Sequence, residues 1–129
     1  MIYPLLAITP LDGRYREKIK SLESYFSEYA LIRYRVFVEI EWFITLCESR
    51  EIKECSRLKK RDELKLRSIL EKFSPSFAQE IKNIEKITNH DVKAVEYFLK
   101  SRMQSSKRLK KNIEFVHFAL TSEDVNNLS

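Results

Sequence analysis

Two short polar stretches hold the side chains best suited to chemistry, Thr88-Asn89-His90-Asp91 and Thr121-Ser122-Glu123-Asp124. Each falls where a helix-patterned run begins. Unpaired backbone amides and the positive end of a helix dipole therefore gather beside imidazole, amide and hydroxyl groups, which is the chemistry of an anion-binding site. His90 could donate to an anion while Asp91 tunes its charge. The adjacent hydroxyls of Thr121 and Ser122, with backbone amides, could take the two oxygens of a carboxylate. A third group is Arg14-Tyr15, directly after the turn Thr9-Pro10-Leu11-Asp12-Gly13. Its guanidinium could fork onto a phosphate or carboxylate while Tyr15 offers a ring edge and a hydroxyl.

Each group also has a plainer reading. Thr88 or Asn89 can cap the helix that follows, with Asp91 completing a capping box, and Thr121 with Asp124 satisfies the same spacing. A cap needs no histidine, however, and two adjacent hydroxyls are more than one cap requires. Arg14-Tyr15 beside a turn is equally ordinary as exposed surface. His117, between Val116 and Phe118, reads as a hydrogen-bonded core residue on an apolar helical face.

The elements that must position these groups are helices. Only one glycine and three prolines occur in 129 residues, whereas a β-rich chain of this length needs many turn residues. The spacing predicts a long helix over 22–49. One of its apolar stripes runs Phe26, Tyr29, Ile32, Val36, Ile40, Phe43, Cys47, and a second runs Leu31, Tyr34, Val38, Trp42, Leu46. A helix apolar on two sides belongs between partners. Shorter helical patterns cover about 60–73, 76–87, 91–104 and 110–120, and in the third Val92, Val95, Leu99 and Met103 point inward. In the turn at 9–13, Gly13 supplies the backbone freedom of a tight reversal.

A chain that is 43% hydrophobic and 33% charged is compatible with one folded domain and a modest core, and argues against disorder. Cys47 and Cys55 have neither metal-ligand nor disulfide spacing, so reduced thiols in a cytoplasmic setting are the simpler reading. The apolar opening Met1 to Ile8 lacks a basic n-region and is broken by Pro4, and no later run reaches membrane-spanning length, so neither secretion nor a membrane span is expected.

Four ordered blocks then make a resemblance: Pro10 to Tyr15, Phe26 to Arg35, Thr88 to Lys100 and His117 to Asn127. Together they resemble the N-terminal region of the bacterial adenylosuccinate lyase family, within the fumarase/aspartase superfamily. The resemblance implies an all-α N-terminal lyase domain. It would comprise an arm over 1–21, helices over 22–120 and the start of a further helix over 121–129, truncated where the family's central helical bundle begins. It implies a C–N lyase that splits adenylosuccinate into AMP and fumarate, and the related succinyl-carboxamide ribonucleotide likewise, by β-elimination in purine biosynthesis. A cytoplasmic homotetramer, no metal and no organic cofactor are implied with it.

Carried over by position, Arg14 and Tyr15 match a segment contacting the nucleotide part of the substrate. Asn89, His90 and Asp91 match a second contacting segment, and Thr121 and Ser122 match the hydroxyl pair holding the succinyl or fumarate carboxylate. His117 is left as structural. The family's acid/base histidine and its serine base belong to segments absent here, so the expectation is a fragment that supplies binding groups, no catalytic residue, and no activity alone. A different class, a basic nucleic-acid-binding or assembly module, would draw on the net charge of +5 and the runs 57–61 and 107–111. Neither run has interleaved aromatics, which makes nucleic acid the weaker partner.

Overall fold

The computed structural model describes residues 7–129, and among these every regular element is helical. In chain order these are α1 (Arg16–Ile19), α2 (Glu23–Phe26), α3 (Glu28–Glu48), α4 (Lys60–Glu71), α5 (Pro75–Thr88), α6 (Asp91–Met103), α7 (Lys107–Lys111) and α8 (Ser122–Leu128). Single 3-10 turns occupy Lys20–Leu22 and Ile113–Phe115. The apolar opening up to Leu6 lies outside the described residues. None of the described helices is long and apolar enough to cross a membrane. The chain divides into two compact units, up to Leu31 and from Ile32 to Ser129.

In the first unit, the turn at 9–13 forms, but not through a left-handed glycine. No described glycine has positive φ. The Gly13 amide bonds to the Thr9 carbonyl at 3.1 Å and the Tyr15 amide to that of Pro10 at 2.9 Å, so the chain winds in helical sense and Gly13 is buried. The expected single helix over 22–49 is broken at Ser27, whose ψ of 160° is extended. Its hydroxyl donates to the Glu23 carbonyl at 2.5 Å and accepts from the Ala30 amide at 3.1 Å, closing α2 and opening α3 at once.

In the second unit, the first apolar stripe of α3 supplies the core: Ile32, Val36, Ile40, Phe43 and Cys47 are all buried. On α6, Val92, Val95, Leu99 and Met103 are buried, as the spacing predicts, together with Phe98. Leu66 of α4 and Ile81 of α5 complete the core. Each such side chain contributes about 1.5–3 kcal/mol when fully buried. Phe26 departs from the expected stripe and is 84% exposed, since the break at Ser27 ends the helical register that would have aligned it. The second stripe is covered only in part: Leu46 is buried, while Tyr34, Val38 and Trp42 are half-buried.

α5 and α6 form the most extensively packed pair, a hairpin with two residues between the helices. Across it Arg102 lies 4.7 Å from the Phe77 ring centre and 4.8 Å from that of Phe98 while pairing with Glu80.

The largest departure is at 110–120. No long helix forms there. α7 stops at Lys111 and, after the 3-10 turn, His117 and Ala119 adopt left-handed φ of 65° and 61°. The physical reason is tertiary. Asn112, fully buried, accepts from the Ser56 amide at 3.1 Å and donates to the Ser56 carbonyl at 2.5 Å and to Cys47 Sγ at 3.3 Å. Local helical pattern is overridden by polar contacts that a continuing helix could not make.

Candidate substrate-binding site

At the corner between α5 and α6 each residue has a separate task. Thr88 ends α5, and Asn89 follows in left-handed conformation (φ 51°), returning its amide to the Glu85 carbonyl at 2.8 Å. The N-cap therefore falls to His90, whose extended backbone lets Nδ1 accept from the Lys93 amide at 3.1 Å. This corrects the assignment of the cap to Thr88 or Asn89 with Asp91 at its third position. A two-residue corner needs Asn89 for its left-handed bend, which moves the cap one residue on. In the neutral ring the proton is then on Nε2.

Asp91 Oδ1 accepts from the Val92 amide at 2.9 Å and Oδ2 pairs with Arg35 Nη2 at 2.7 Å. Burial works to raise this carboxyl, but the Val92 amide and then Arg35 more than offset it and hold it below the ordinary aspartate range. Beside this corner is an open depression of about 590 Å³, lined by Lys82, Glu85, Lys86, Asn89, His90 and Asp91.

At the start of α8 the expected capping box is present. Thr121 Oγ1 accepts from the Asp124 amide at 3.3 Å, and Asp124 Oδ2 accepts from the Thr121 amide at 2.7 Å and from Oγ1 at 2.8 Å. Those bonds, the backbone one first, hold the Asp124 carboxyl below its ordinary range. The Thr121 hydroxyl thus both donates and accepts within the turn. Ser122 Oγ lies 3.5 Å from His90 Nε2, at the long end of hydrogen bonding. With the proton on Nε2, Ser122 accepts and keeps its own O–H for a ligand. His90 and Ser122, 32 positions apart, are thus brought together, with the Ser122 hydroxyl as the outward donor.

Three residues of α3 to which the sequence reading gave no role at the site tie these corners down. Arg35 pairs with Asp91 and also donates from Nε to Asn126 Oδ1 of α8 at 3.0 Å. Glu39, fully buried, places Oε1 2.5 Å from His117 Nδ1, and the Trp42 indole N–H donates to the Phe118 carbonyl at 2.8 Å. Their spacing of four and three residues puts them on one side of the helix. The available signal was a charged residue, Glu39, directly beside the buried stripe positions Val36 and Ile40. His117 is hydrogen-bonded, as expected, but on a left-handed turn rather than a helical face.

Arg14 and Tyr15 lie in the first unit. Both are exposed, the Arg14 guanidinium 5.4 Å from the Tyr15 ring centre. In the second unit the two basic runs adjoin, Arg108 donating to the Arg57 carbonyl at 3.2 Å and lying 3.5 Å from Asp62. Cys47 and Cys55, despite their spacing, have Sγ atoms 2.9 Å apart as free thiols. Burial, then their mutual contact, pushes the Cys47 thiol well above its ordinary range. Among the described residues no group of three or more His, Cys, Asp or Glu side chains could hold a metal ion.

No protein-family model matches the chain. Individual proteins do. It is 53% identical over 125 residues to the adenylosuccinate lyase of Dictyostelium discoideum, which spans 95% of this chain and 27% of that protein. It is 48% identical to the adenylosuccinate lyase of Buchnera aphidicola subsp. Schizaphis graminum and 47% identical to that of Escherichia coli K12, each over 97% of this chain and 27% of the relative. The chain thus spans about a quarter of the length of the curated relatives it matches.

Proposed function

We propose, from a kinship with adenylosuccinate lyases that runs through nearly the whole chain, that these residues are the N-terminal part of such an enzyme. The reaction is β-elimination: adenylosuccinate gives AMP and fumarate, and the succinyl-carboxamide ribonucleotide gives its carboxamide and fumarate. A base removes the proton next to a carboxylate, aimed donors stabilise the developing negative charge, and an acid protonates the departing nitrogen. The complete protein is a cytoplasmic homotetramer.

Within this segment Arg14 and Tyr15 contact the nucleotide portion, Asn89, His90 and Asp91 a further part of the substrate, and Thr121 and Ser122 the succinyl carboxylate. The observation that supports this most directly is the approach of Ser122 Oγ to His90 Nε2. With the ring proton given to Ser122 Oγ, the Ser122 hydroxyl is left to donate to a carboxylate, and no negative charge stands between the two groups. The alternative of a basic nucleic-acid-binding or assembly module is not favoured by the kinship.

The test is Ser122→Ala in the complete polypeptide. Loss of one hydrogen bond to a charged group, about 2 kcal/mol, corresponds to roughly a 30-fold fall in kcat/KM for adenylosuccinate. Unchanged kcat and KM would remove Ser122 from the site. The 129-residue chain by itself releases no fumarate, and turnover by it would overturn the reading that it supplies binding groups only.

A further inference from the structure

Among the described residues, Glu39 is a carboxyl in an unusual place. It is fully buried in the middle of α3, and its Oε2 has no hydrogen-bond partner. A carboxylate kept at such a position without full satisfaction calls for a role that an apolar side chain of the same size would not fill. Its partner is His117, through Nδ1 and more weakly through the backbone, on the turn that runs into Thr121 and Ser122. That turn is conformationally costly: His117 and Ala119, both with a Cβ, have left-handed backbones. The contacts to it from α3 are the Glu39–His117 bond and the Trp42 bond to the Phe118 carbonyl.

The charges facing this pair decide where its protons reside. From α6, Glu96 is 4% exposed and bonded to Lys93 at 2.7 Å and Lys100 at 3.1 Å. Burial opposes ionisation of Glu96, yet the two lysines overcome it and keep its carboxyl below the ordinary range, so it stays charged. From α8, Asp124 senses His117 as a neighbouring charge. On Glu39 burial dominates and raises its carboxyl, Glu96 adds to that, and the bond to His117 works the other way.

A Glu39 carboxylate beside a neutral ring protonated only on Nδ1 would bury an uncompensated negative charge close to Glu96. Two arrangements avoid this: a protonated Glu39 donating to Nδ1, or a carboxylate paired with an imidazolium. In both, Nε2 carries a proton.

We propose that Glu39 is a positioning residue for the Thr121–Ser122 segment, acting through His117. By holding Nδ1 from within the core it fixes the imidazole as an Nε2–H donor and locks the left-handed turn that delivers the chain into α8. The inference deepens the lyase reading and rests on it for its kinetic consequence.

Two substitutions in the complete polypeptide test it. Glu39→Met fills the space without a polar atom, whereas Glu39→Gln can still donate an amide N–H to Nδ1 and preserve the Nε2 proton. Glu39→Met should lower kcat/KM for adenylosuccinate by roughly 30-fold and alter the pH profile, with Glu39→Gln restoring activity to within about fivefold of wild type. A side chain that only fills the core would instead make methionine at least as good as glutamine.

The second readout is imidazole ¹⁵N spectroscopy. His117 Nε2 should be protonated at pH 7 in the wild type and in Glu39→Gln, and exchange between tautomers in Glu39→Met. A deprotonated wild-type Nε2, or a Met variant with wild-type kinetics and spectrum, overturns the proposal. If Glu39→Met does not fold, the wild-type spectrum and Glu39→Gln still decide. Absence of adenylosuccinate cleavage by the wild type would sink the lyase reading, whereas the ring spectrum needs no substrate and tests the positioning role by itself.

Discussion

The corner at 88–91 and the segment at 112–121 both end in a helix start bearing candidate ligand groups, yet they are held in different ways. The backbone of the first closes through bonds between residues three or four apart, Asn89 to Glu85 and His90 to Lys93. The second depends on partners 56, 76 and 78 positions away, through Asn112, Phe118 and His117. A locally capped corner can survive the loss of a distant contact. A turn with two left-handed residues, whose local backbone bonds are single turns three residues apart, leans on those distant contacts and should fail first when the core is perturbed.

The largest expected effect is therefore at Asn112. Asn112→Ala strands the half-buried Ser56 amide and carbonyl together, and should destabilise the protein by about 2 kcal/mol in urea unfolding. A loss below about 1 kcal/mol would mean that the segment is held by something other than this bond pair, and the contrast between the two turns would weaken.

The same contrast explains what could be read beforehand. The helices α5 and α6 were legible because the inward positions Val92, Val95, Leu99 and Met103 and the capping signals at 88–91 act through spacings of three and four. The capping box at Thr121 was legible for the same reason. The break at Ser27 was not, because serine in a long apolar pattern gives no sign that its hydroxyl will close one helix and open another. Nor was the turn at 117–119. Val116 and Phe118 suit a helix, and only the approach of Glu39 and Trp42 makes another backbone preferable. His90 shows a finer limit: the candidate residues were legible but their tasks were not, since the choice of cap depended on which residue took the left-handed bend.

Arg35 is a long tie that reaches the locally built corner as well, through a charge pair to Asp91, which makes it the next place to test the comparison. Its side chain is 11% exposed against 43% for Asp91, so solvent screening discounts the pair. Arg35→Met should cost about 1–2 kcal/mol, and a double-mutant cycle with Asp91→Asn should return a coupling of about 1 kcal/mol.

The pH dependence follows from the lowered Asp91 carboxyl. Its favourable contribution is fully present above the unfolded aspartate value of about 3.9, and is lost as pH falls through the lower folded value. The stability gap between wild type and Arg35→Met should therefore close under strongly acidic conditions. A gap that persists there would show that the arginine acts through Asn126 instead.

The smallest effect has the opposite sign and compares the two turns by one substitution. Ala119 is exposed with φ 61°, and Asn89 is exposed with φ 51°. A left-handed alanine costs about 1–2 kcal/mol relative to glycine, whereas asparagine tolerates that region through its short polar side chain. Glycine adds unfolded-state entropy of about 0.4–1 kcal/mol at either position. Ala119→Gly should thus stabilise the protein by about 0.5 kcal/mol, and Asn89→Gly should be neutral or slightly destabilising, both read from urea midpoints. A stabilising Asn89→Gly with a destabilising Ala119→Gly would place the strain in the hairpin corner and reverse the assignment of which turn the core must hold in shape.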